Sequence, residues 1–181
     1  MTEPSGKTLY IVVTGAALTR RADAAVAAAR DRDWQPAVIA TPAAESWLPR
    51  TELEAANVPL LTDHRQPNDA KRLPSADAVL LAPATFNTIN KLATGIADNY
   101  AMSVLCEALS TRVRTVLVPF VSTRLAGHPA WLASLAVLRY AGVTLVDPRT
   151  GATNIEEPIQ SGTGDAVADQ FDWNWPLSQL A

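Results

Sequence analysis

The chain of 181 residues contains one cysteine, Cys106. A single cysteine excludes an internal disulfide and a metal site built from several thiolates, and we predict no metal site. The simplest interpretation of Cys106 is a small, buried apolar residue. No apolar run approaches the length that spans a membrane, and the polar residues 1–7 lack the apolar core of a signal peptide. We therefore expect a cytoplasmic protein without a membrane segment.

The chain also has little charge. Charged residues make up 18% of the sequence and the net charge is -3, with no basic block. This balance argues against nucleic acid as a partner, and the low charged fraction indicates that surface is lost to an oligomer interface. Hydrophobic residues reach 48%, and the length suits one domain with a sizeable core.

Short apolar runs alternate along the chain with segments of helical spacing. Strands are predicted at residues 9–15, 36–40, 58–61, 76–82, 115–118 and 143–146. Helices are predicted from a cap at Thr19 to about residue 30, and at 41–48, 51–56, 85–95, 98–109 and 130–140. Residues 63–74 and 120–129 are predicted to be loops. Such alternation predicts an α/β fold, a single-domain Rossmann-like (flavodoxin-like) parallel sheet with helices on both faces. The one domain covers residues 1–181, with a core at about 8–148 and a C-terminal extension at 149–181.

The other segments are organised around residues 76–99. Pro83 ends an apolar strand because proline cannot donate to a ladder, Thr85 or Asn87 caps the next helix, and Gly95 ends that helix. This geometry directs backbone N–H groups, hydroxyls and an amide to a point beyond the strand, where an anion such as phosphate fits. An ordinary strand-to-helix turn with a capping threonine is the alternative interpretation.

Gly15, Thr41, Thr85 and Pro119 all lie at predicted strand ends. The carboxyl ends of parallel strands meet at one edge of a sheet, and ligands bind there. This convergence favours a ligand site over an ordinary turn.

Residues 82–99 resemble a family signature. The family is the flavoprotein family of homo-oligomeric flavin-containing cysteine decarboxylases, which includes phosphopantothenoylcysteine decarboxylase and the decarboxylases of lantibiotic peptides. Its Pro-Ala-Ser-Ala-Asn-Thr motif appears at residues 83–88 with Thr85 for Ser and Phe86 for Ala, and its Lys-x-x-x-Gly-x-x-Asp-Asn run appears at residues 91–99. The resemblance covers residues 9–148.

The resemblance implies an FMN cofactor, with FAD as the alternative, at a contact between subunits of a trimer that can assemble into dodecamers. It also implies that the flavin oxidises a cysteine side chain to a thioaldehyde, after which carbon dioxide leaves. Asn99 falls in the implied substrate site. The implied cofactor residues are Gly15, Ala16 and Thr41 near the phosphate and ribityl chain, and Thr85, Phe86, Asn87 and Thr88 at the phosphate, ribityl chain or ring edge.

Two family features are altered in this chain. In the family's substrate clamp, Pro-x-Met-Asn-x-x-Met-Trp, only Pro119 survives: Ser122 replaces the amide, and Arg124 is either a substitute anion partner or an exposed loop residue. The catalytic histidine would fall at residues 68–69, which are Asn and Asp. His64 lies nearby and is the candidate catalytic residue if the register of the loop differs; a solvated loop residue is the alternative interpretation.

Three functions therefore stay open. The first is an FMN-dependent enzyme that decarboxylates a small-molecule or peptide substrate containing cysteine, for example at a peptide C-terminus. The second is a flavin-binding or regulatory subunit without catalysis. A flavin prenyltransferase is less supported, because residues 15–18 read Gly-Ala-Ala-Leu. Trp173 and Trp175, in the C-terminal extension, are expected either to line a lid or to dock on a neighbouring subunit.

Overall fold

Six strands form one parallel sheet in the computed structural model, which describes residues 6–66, 68–155 and 157–180. The strands are β1 (Lys7–Val13), β2 (Trp34–Ala40), β3 (Leu60–Leu61), β4 (Ala78–Ala84), β5 (Arg114–Pro119) and β6 (Thr144–Leu145). Their order is β3-β2-β1-β4-β5-β6, and all five pairings are parallel. The predicted parallel α/β architecture is confirmed.

Helical segments follow every strand except β3, after which the described residues reach β4 without a helix. The α-helices are α1 (Ala22–Arg30), α2 (Arg50–Ala55), α3 (Phe86–Thr94), α4 (Tyr100–Ser110), α5 (Thr123–Ala126), α6 (Ala130–Tyr140), α7 (Gly164–Gln170) and α8 (Asn174–Leu177). Short 3-10 helices cover Ala17–Arg21, Pro42–Trp47 and Ser178–Leu180. Within the described ranges, no helix combines the length and the hydrophobicity needed to cross a membrane.

The sheet has a core on each face because alternate residues of a strand point in opposite directions. On β1, Leu9 and Ile11 belong to the core that also contains α1 and the C-terminal helices. Tyr10 and Val12 belong to the core formed with α3, α4 and α6. Both faces are thus covered by helices, as predicted for a sheet whose strands read as continuous apolar runs.

Pro83 does not end the central strand. It lies inside β4, and the peptide bond from Ala82 to Pro83 is cis. The pairing of β4 with β1 reaches only Leu81, and the pairing with β5 shifts register between Leu81 and Ala84. No ladder hydrogen bond from residue 83 is needed at this irregularity, so the strand tolerates a proline there.

Two further sequence predictions need correction. Thr19 does not cap a helix: it is buried within a 3-10 helix, and its hydroxyl donates to the carbonyl of Thr14 at 2.5 Å. Residues 120–129 are not entirely a loop, because α5 begins directly after Ser122. In both places a short helical turn follows a strand end, and such turns are too short to show helical spacing.

The C-terminal aromatic residues pack on the chain's own core. Trp173 and Phe171 are buried there, with ring centroids 4.9 Å apart, and Trp175 packs against the same core. Arg21 holds this segment in place, since its guanidinium donates to the carbonyls of Ala168 and Phe171 at the end of α7. The prediction of a lid or a subunit contact is therefore wrong for Trp173, which is already buried within its own chain.

Candidate functional site

A cavity of about 590 Å³ lies at the carboxyl edge of the sheet, and we call it the sheet-edge cavity. Its lining comes from the segments that follow β1, β2 and β4, from the first turn of α4, and from α5. The lining residues are Gly15, Thr41, Pro42, Ala43, Thr85, Phe86, Asn87, Thr88, Lys91, Asp98, Asn99, Met102 and Leu125. Seven of them are residues that the sequence assigned to a cofactor or substrate site.

Close packing between two strand ends shapes the cavity wall at Gly15. A Cβ atom added to Gly15 would lie 2.6 Å from the backbone oxygen of Ala43. No side chain fits in that space, so glycine allows the turn after β1 to approach the turn after β2.

Thr14 joins the ends of β1 and β4. Its hydroxyl donates to the carbonyl of Pro83 at 2.8 Å and accepts from the N–H of Thr85 at 3.2 Å. The carbonyl of Thr14 in turn accepts from the buried hydroxyl of Thr19. This network fixes the residue at which α3 begins.

The hydroxyl groups that line the cavity are not used to cap helices. Thr85 occupies the N-cap position of α3 without a capping hydrogen bond, and its Oγ1 lies 3.1 Å from Oγ1 of Thr88. Thr41 Oγ1 is buried and has no hydrogen-bond partner in the described part of the chain. A buried hydroxyl costs free energy unless it finds a partner. Together with the free N–H groups in the first turn of α3, it suits an anionic ligand.

Charged residues lie on another wall of the cavity. Lys91 Nζ donates to Asp98 Oδ2 at 2.5 Å, and this hydrogen bond holds the pKa of Asp98 below its usual range. Asn99 caps α4, since its Oδ1 accepts from the N–H of Met102 at 3.1 Å. Lys91 and Asp98 are the titratable side chains among the described residues that line this cavity.

The remaining predicted site residues lie elsewhere. Ala16 is next to the cavity, where its N–H donates to the carbonyl of Thr14 at 2.7 Å, but it does not line the cavity. Ser122 pairs with Ile159, Arg124 is exposed, and neither lines the cavity. His64 lines a different cavity, where its ring packs against Tyr100 with centroids 5.4 Å apart.

Sequence reasoning assigned no role to several residues of the lining. Met102 and Leu125 contribute apolar surface, and Leu125 stands one residue after the predicted Arg124. Met102 lies on the apolar face of a predicted helix, so it was expected to belong to the core. Leu125 lies in a predicted loop, where the sequence pattern does not show which way a side chain points. His128 contacts the site indirectly, because its ring packs against Phe86 with centroids 5.9 Å apart.

The fold and the polar cavity at the ends of its parallel strands define an α/β protein with a candidate ligand site at the carboxyl edge of the sheet. The particular family follows from a family model described as Flavoprotein, which matches residues 2–168. The chain belongs to this flavoprotein family. Membership supports a flavin cofactor.

Similar proteins carry decarboxylase names. A cysteine/cysteine sulfinic acid decarboxylase of an unknown prokaryotic organism is 33% identical over 109 residues, which cover 57% of this chain and 30% of that protein. A probable phosphopantothenoylcysteine decarboxylase of Streptococcus mutans is 31% identical over 120 residues, or 62% of this chain and 66% of that protein. The match therefore spans less than two thirds of either relative.

One solved structure is similar in both fold and sequence. It is the crystal structure of TvaF, an FMN-dependent cysteine decarboxylase from thioviridamide biosynthesis. It superposes with a TM-score of 0.68 at 26% identity, and the alignment covers 77% of this chain and 89% of that chain.

Proposed function

We propose that the chain is a cytoplasmic flavoprotein that binds FMN in the sheet-edge cavity. The observation that carries this proposal is the buried hydroxyl of Thr41, which has no hydrogen-bond partner among the described residues and lines the same cavity as the first turn of α3. A phosphate supplies acceptor oxygens for such a hydroxyl and for the N–H groups of a helix N-terminus. We assign Thr41, Thr85 and Thr88 to the phosphate and ribityl chain, and Phe86 and Asn87 to the ring edge.

The donors in this cavity are mostly neutral. Lys91 is the one cation among the described residues of the lining, and Asp98 already accepts its hydrogen bond. Hydroxyls and a helix N-terminus can hold a phosphate without a free cation because the helix dipole places partial positive charge there. FMN has one terminal phosphate, and a site with one helix N-terminus and its neighbouring hydroxyls suits such a phosphate better than it suits the bridging pyrophosphate of FAD.

We further propose that the chain catalyses oxidative decarboxylation of a cysteine-containing substrate, such as a peptide with a C-terminal cysteine. A bound flavin would supply two-electron oxidation of the cysteine side chain of the substrate. The chain's own part is to hold the substrate against the ring and keep water out. Met102 and Leu125 supply apolar surface for this, and Asn99 lies beside them.

A second candidate is flavin binding without catalysis. It is favoured by the placement of His64, Ser122 and Arg124, none of which lines the sheet-edge cavity. With Lys91 and Asp98 bonded to each other, no described residue of the lining is an uncommitted acid or base. Decarboxylation by this chain would then need a group from a second subunit.

We also propose that the chain forms a homo-oligomer, a trimer by family resemblance. The outer face of α6 is apolar throughout: Leu132 is 57% exposed, Val137 is 49% exposed and Tyr140 is 96% exposed. Two exposed alanines, Ala133 and Ala136, complete this face. A contiguous apolar helix face is typical of an interface, and α6 packs on α3, whose first turn lines the cavity.

The cofactor proposal is tested by the absorption spectrum of the purified protein and the mass of the cofactor that it releases. Asn87→Asp places a negative charge at the cavity wall and should lower FMN occupancy. Gln35→Glu adds the same charge at the start of β2, away from the cavity, and should leave occupancy unchanged. Full occupancy in Asn87→Asp would show that Asn87 does not lie beside the flavin.

Activity is tested by incubating the flavin-loaded protein with peptides that end in cysteine. The enzyme proposal predicts a product lighter by carbon dioxide and two hydrogen atoms, with bleaching of the flavin in the absence of oxygen. If the flavin is bound but no peptide changes mass, the non-catalytic candidate is supported instead.

The oligomer is tested by sedimentation. The original chain should sediment as an assembly, and Val137→Glu on α6 should sediment as a smaller species. Arg30→Glu, a charge change on the exposed end of α1, is the matched control. A monomeric original chain would contradict the proposal.

A further inference from the structure

A second cavity, of about 550 Å³, lies beside α4, and we call it the α4 cavity. It is lined by Tyr10, His64, Arg65, Lys71, Arg72, Leu73, Ser75, Ala76, Val79, Tyr100, Val104, Glu107, Ala108, Thr111 and Val113. We propose that it binds a small molecule with an apolar body and an anionic group, a phosphate or a carboxylate. This site is independent of the proposed flavin site.

The floor of the α4 cavity is apolar. Val79 of β4 and Leu73 of the preceding segment are buried, and Val104 and Ala108 of α4 form the adjoining wall. A volume of this size holds an organic molecule rather than an ion with its water. The ligand must therefore offer apolar surface to this floor.

The rim of the α4 cavity is cationic. Arg65, Lys71 and Arg72 line it, against one carboxylate, Glu107. This is opposite in sign to the chain as a whole, whose net charge is -3. A local excess of cations in an acidic protein selects for an anion.

These three cations are available to a ligand. Arg65 donates to the carbonyl of Asp69, Arg72 donates to the carbonyl of Asp63, and Lys71 Nζ donates to Ser75 Oγ at 2.9 Å. All three acceptors are neutral oxygens. None of the ion pairs found within the described ranges involves these cations. An anionic ligand would supply the charge-assisted hydrogen bonds that they lack.

Tyr100 holds the cationic rim in position. The Arg72 guanidinium lies 5.2 Å from the Tyr100 ring centroid, and the His64 ring packs edge-on against the same ring. A guanidinium stacked on an aromatic ring loses less freedom when it binds an anion. Arg72 is thus anchored to the first turn of α4 although it belongs to an irregular segment.

The two cavities lie on different sides of the same helix turn. Asn99 and Met102 line the sheet-edge cavity, whereas Tyr100 and Val104 line the α4 cavity, and the two lining sets share no residue. Substitutions can therefore separate binding at one cavity from binding at the other.

The test is fluorescence titration of the FMN-saturated protein with anilinonaphthalene sulfonate, an apolar anion. We expect saturable binding that inorganic phosphate weakens, and much weaker binding of the neutral phenylnaphthylamine. Arg72→Gln should weaken sulfonate binding about tenfold, because a hydrogen bond to a charged group is removed. Arg65→Gln serves as the second variant if Arg72→Gln melts at a lower temperature.

Two matched variants locate the binding. Arg30→Gln removes a cation from the exposed end of α1 and should leave sulfonate binding unchanged. Thr41→Val alters only the sheet-edge cavity and should also leave it unchanged. The proposal is overturned if binding does not saturate, if both arginine variants bind as the original chain does, or if Thr41→Val abolishes binding. None of these outcomes depends on whether the sheet-edge cavity holds a flavin.

Discussion

The sheet-edge cavity and the α4 cavity offer different donors to an anion. The first offers hydroxyls, a helix N-terminus and one lysine already bonded to Asp98. The second offers two arginines and a lysine whose acceptors are neutral oxygens. The backbone of strands and helices positions the first set, whereas long side chains of an irregular segment make the second.

This difference indicates what each cavity can select. Neutral donors at fixed strand ends distinguish ligands by geometry, because a displaced phosphate loses several hydrogen bonds at once. Cations on long side chains above an apolar floor distinguish ligands by charge and by apolar surface. We therefore expect the sheet-edge cavity to be sensitive to small backbone changes and the α4 cavity to be sensitive to ionic strength.

The largest effect is expected from Gly15→Ala. The added Cβ would lie 2.6 Å from a backbone oxygen, so the turn after β1 or the turn after β2 has to move. We expect the free energy of unfolding to fall by about 1–3 kcal/mol, as for other overpacked sites, and FMN occupancy to fall with it. Denaturant unfolding and flavin absorbance measure the two effects.

Gly127→Ala is the matched control for this prediction. Among the described residues, and apart from its two chain neighbours, nothing lies within 4 Å of a Cβ added at Gly127, and its φ of -70° suits alanine. We expect no loss of stability there. Equal behaviour of the two variants would mean that the contact between Gly15 and Ala43 does not constrain the cavity.

Much of the sheet-edge cavity could be predicted because its residues follow strands that the sequence marks as short, continuous apolar runs. Gly15, Thr41 and Thr85 each come directly after a buried run, and parallel strands bring such positions to one edge. The position of Pro83 could not be predicted, since the register shift in β4 depends on neighbouring strands. Thr19 was misassigned because its partner, Thr14, belongs to a turn whose shape the sequence does not reveal.

The α4 cavity could not be predicted. Residues 63–74 read only as a polar loop, and nothing in their order shows that Arg72 lies over Tyr100 or that His64 faces the same ring. The same holds for the C-terminal segment, where Trp173 reaches the core through contacts distant in sequence. In a periodic segment the spacing of apolar residues shows which face packs on the core. In an irregular segment the contacts depend on residues distant in sequence, so the segment's own sequence does not reveal them.

A smaller effect distinguishes two buried threonines at the sheet edge. Thr41→Val removes a hydroxyl that has no hydrogen-bond partner in the described ranges, so the free energy of unfolding without ligand should stay the same or rise, while FMN affinity falls about tenfold. Thr19→Val removes a hydroxyl that is bonded to Thr14, and should lower the free energy of unfolding by about 1 kcal/mol. If Thr41→Val destabilises the ligand-free protein as Thr19→Val does, Thr41 is structural and the phosphate assignment fails.

The smallest effect concerns Tyr10 in the α4 cavity. Its hydroxyl donates to the carbonyl of Pro74, and burial, with smaller contributions from Tyr100 and Glu107, raises its pKa to about 12. In the unfolded chain the pKa is about 10. The stabilisation from neutral Tyr10 is therefore complete below about pH 10 and is lost as the pH rises toward the folded-state value.

Tyr10→Phe isolates this contribution. Near neutral pH the variant should be about 1 kcal/mol less stable, because the Pro74 carbonyl loses its donor. Between about pH 10 and pH 12 that difference should shrink, since only the original chain has the buried phenol to titrate. Urea unfolding curves at each pH measure the stability difference between Tyr10→Phe and the original chain. If this difference stays constant across the pH range, the Tyr10 phenol is solvated, and water reaches the floor of the α4 cavity despite its apolar lining.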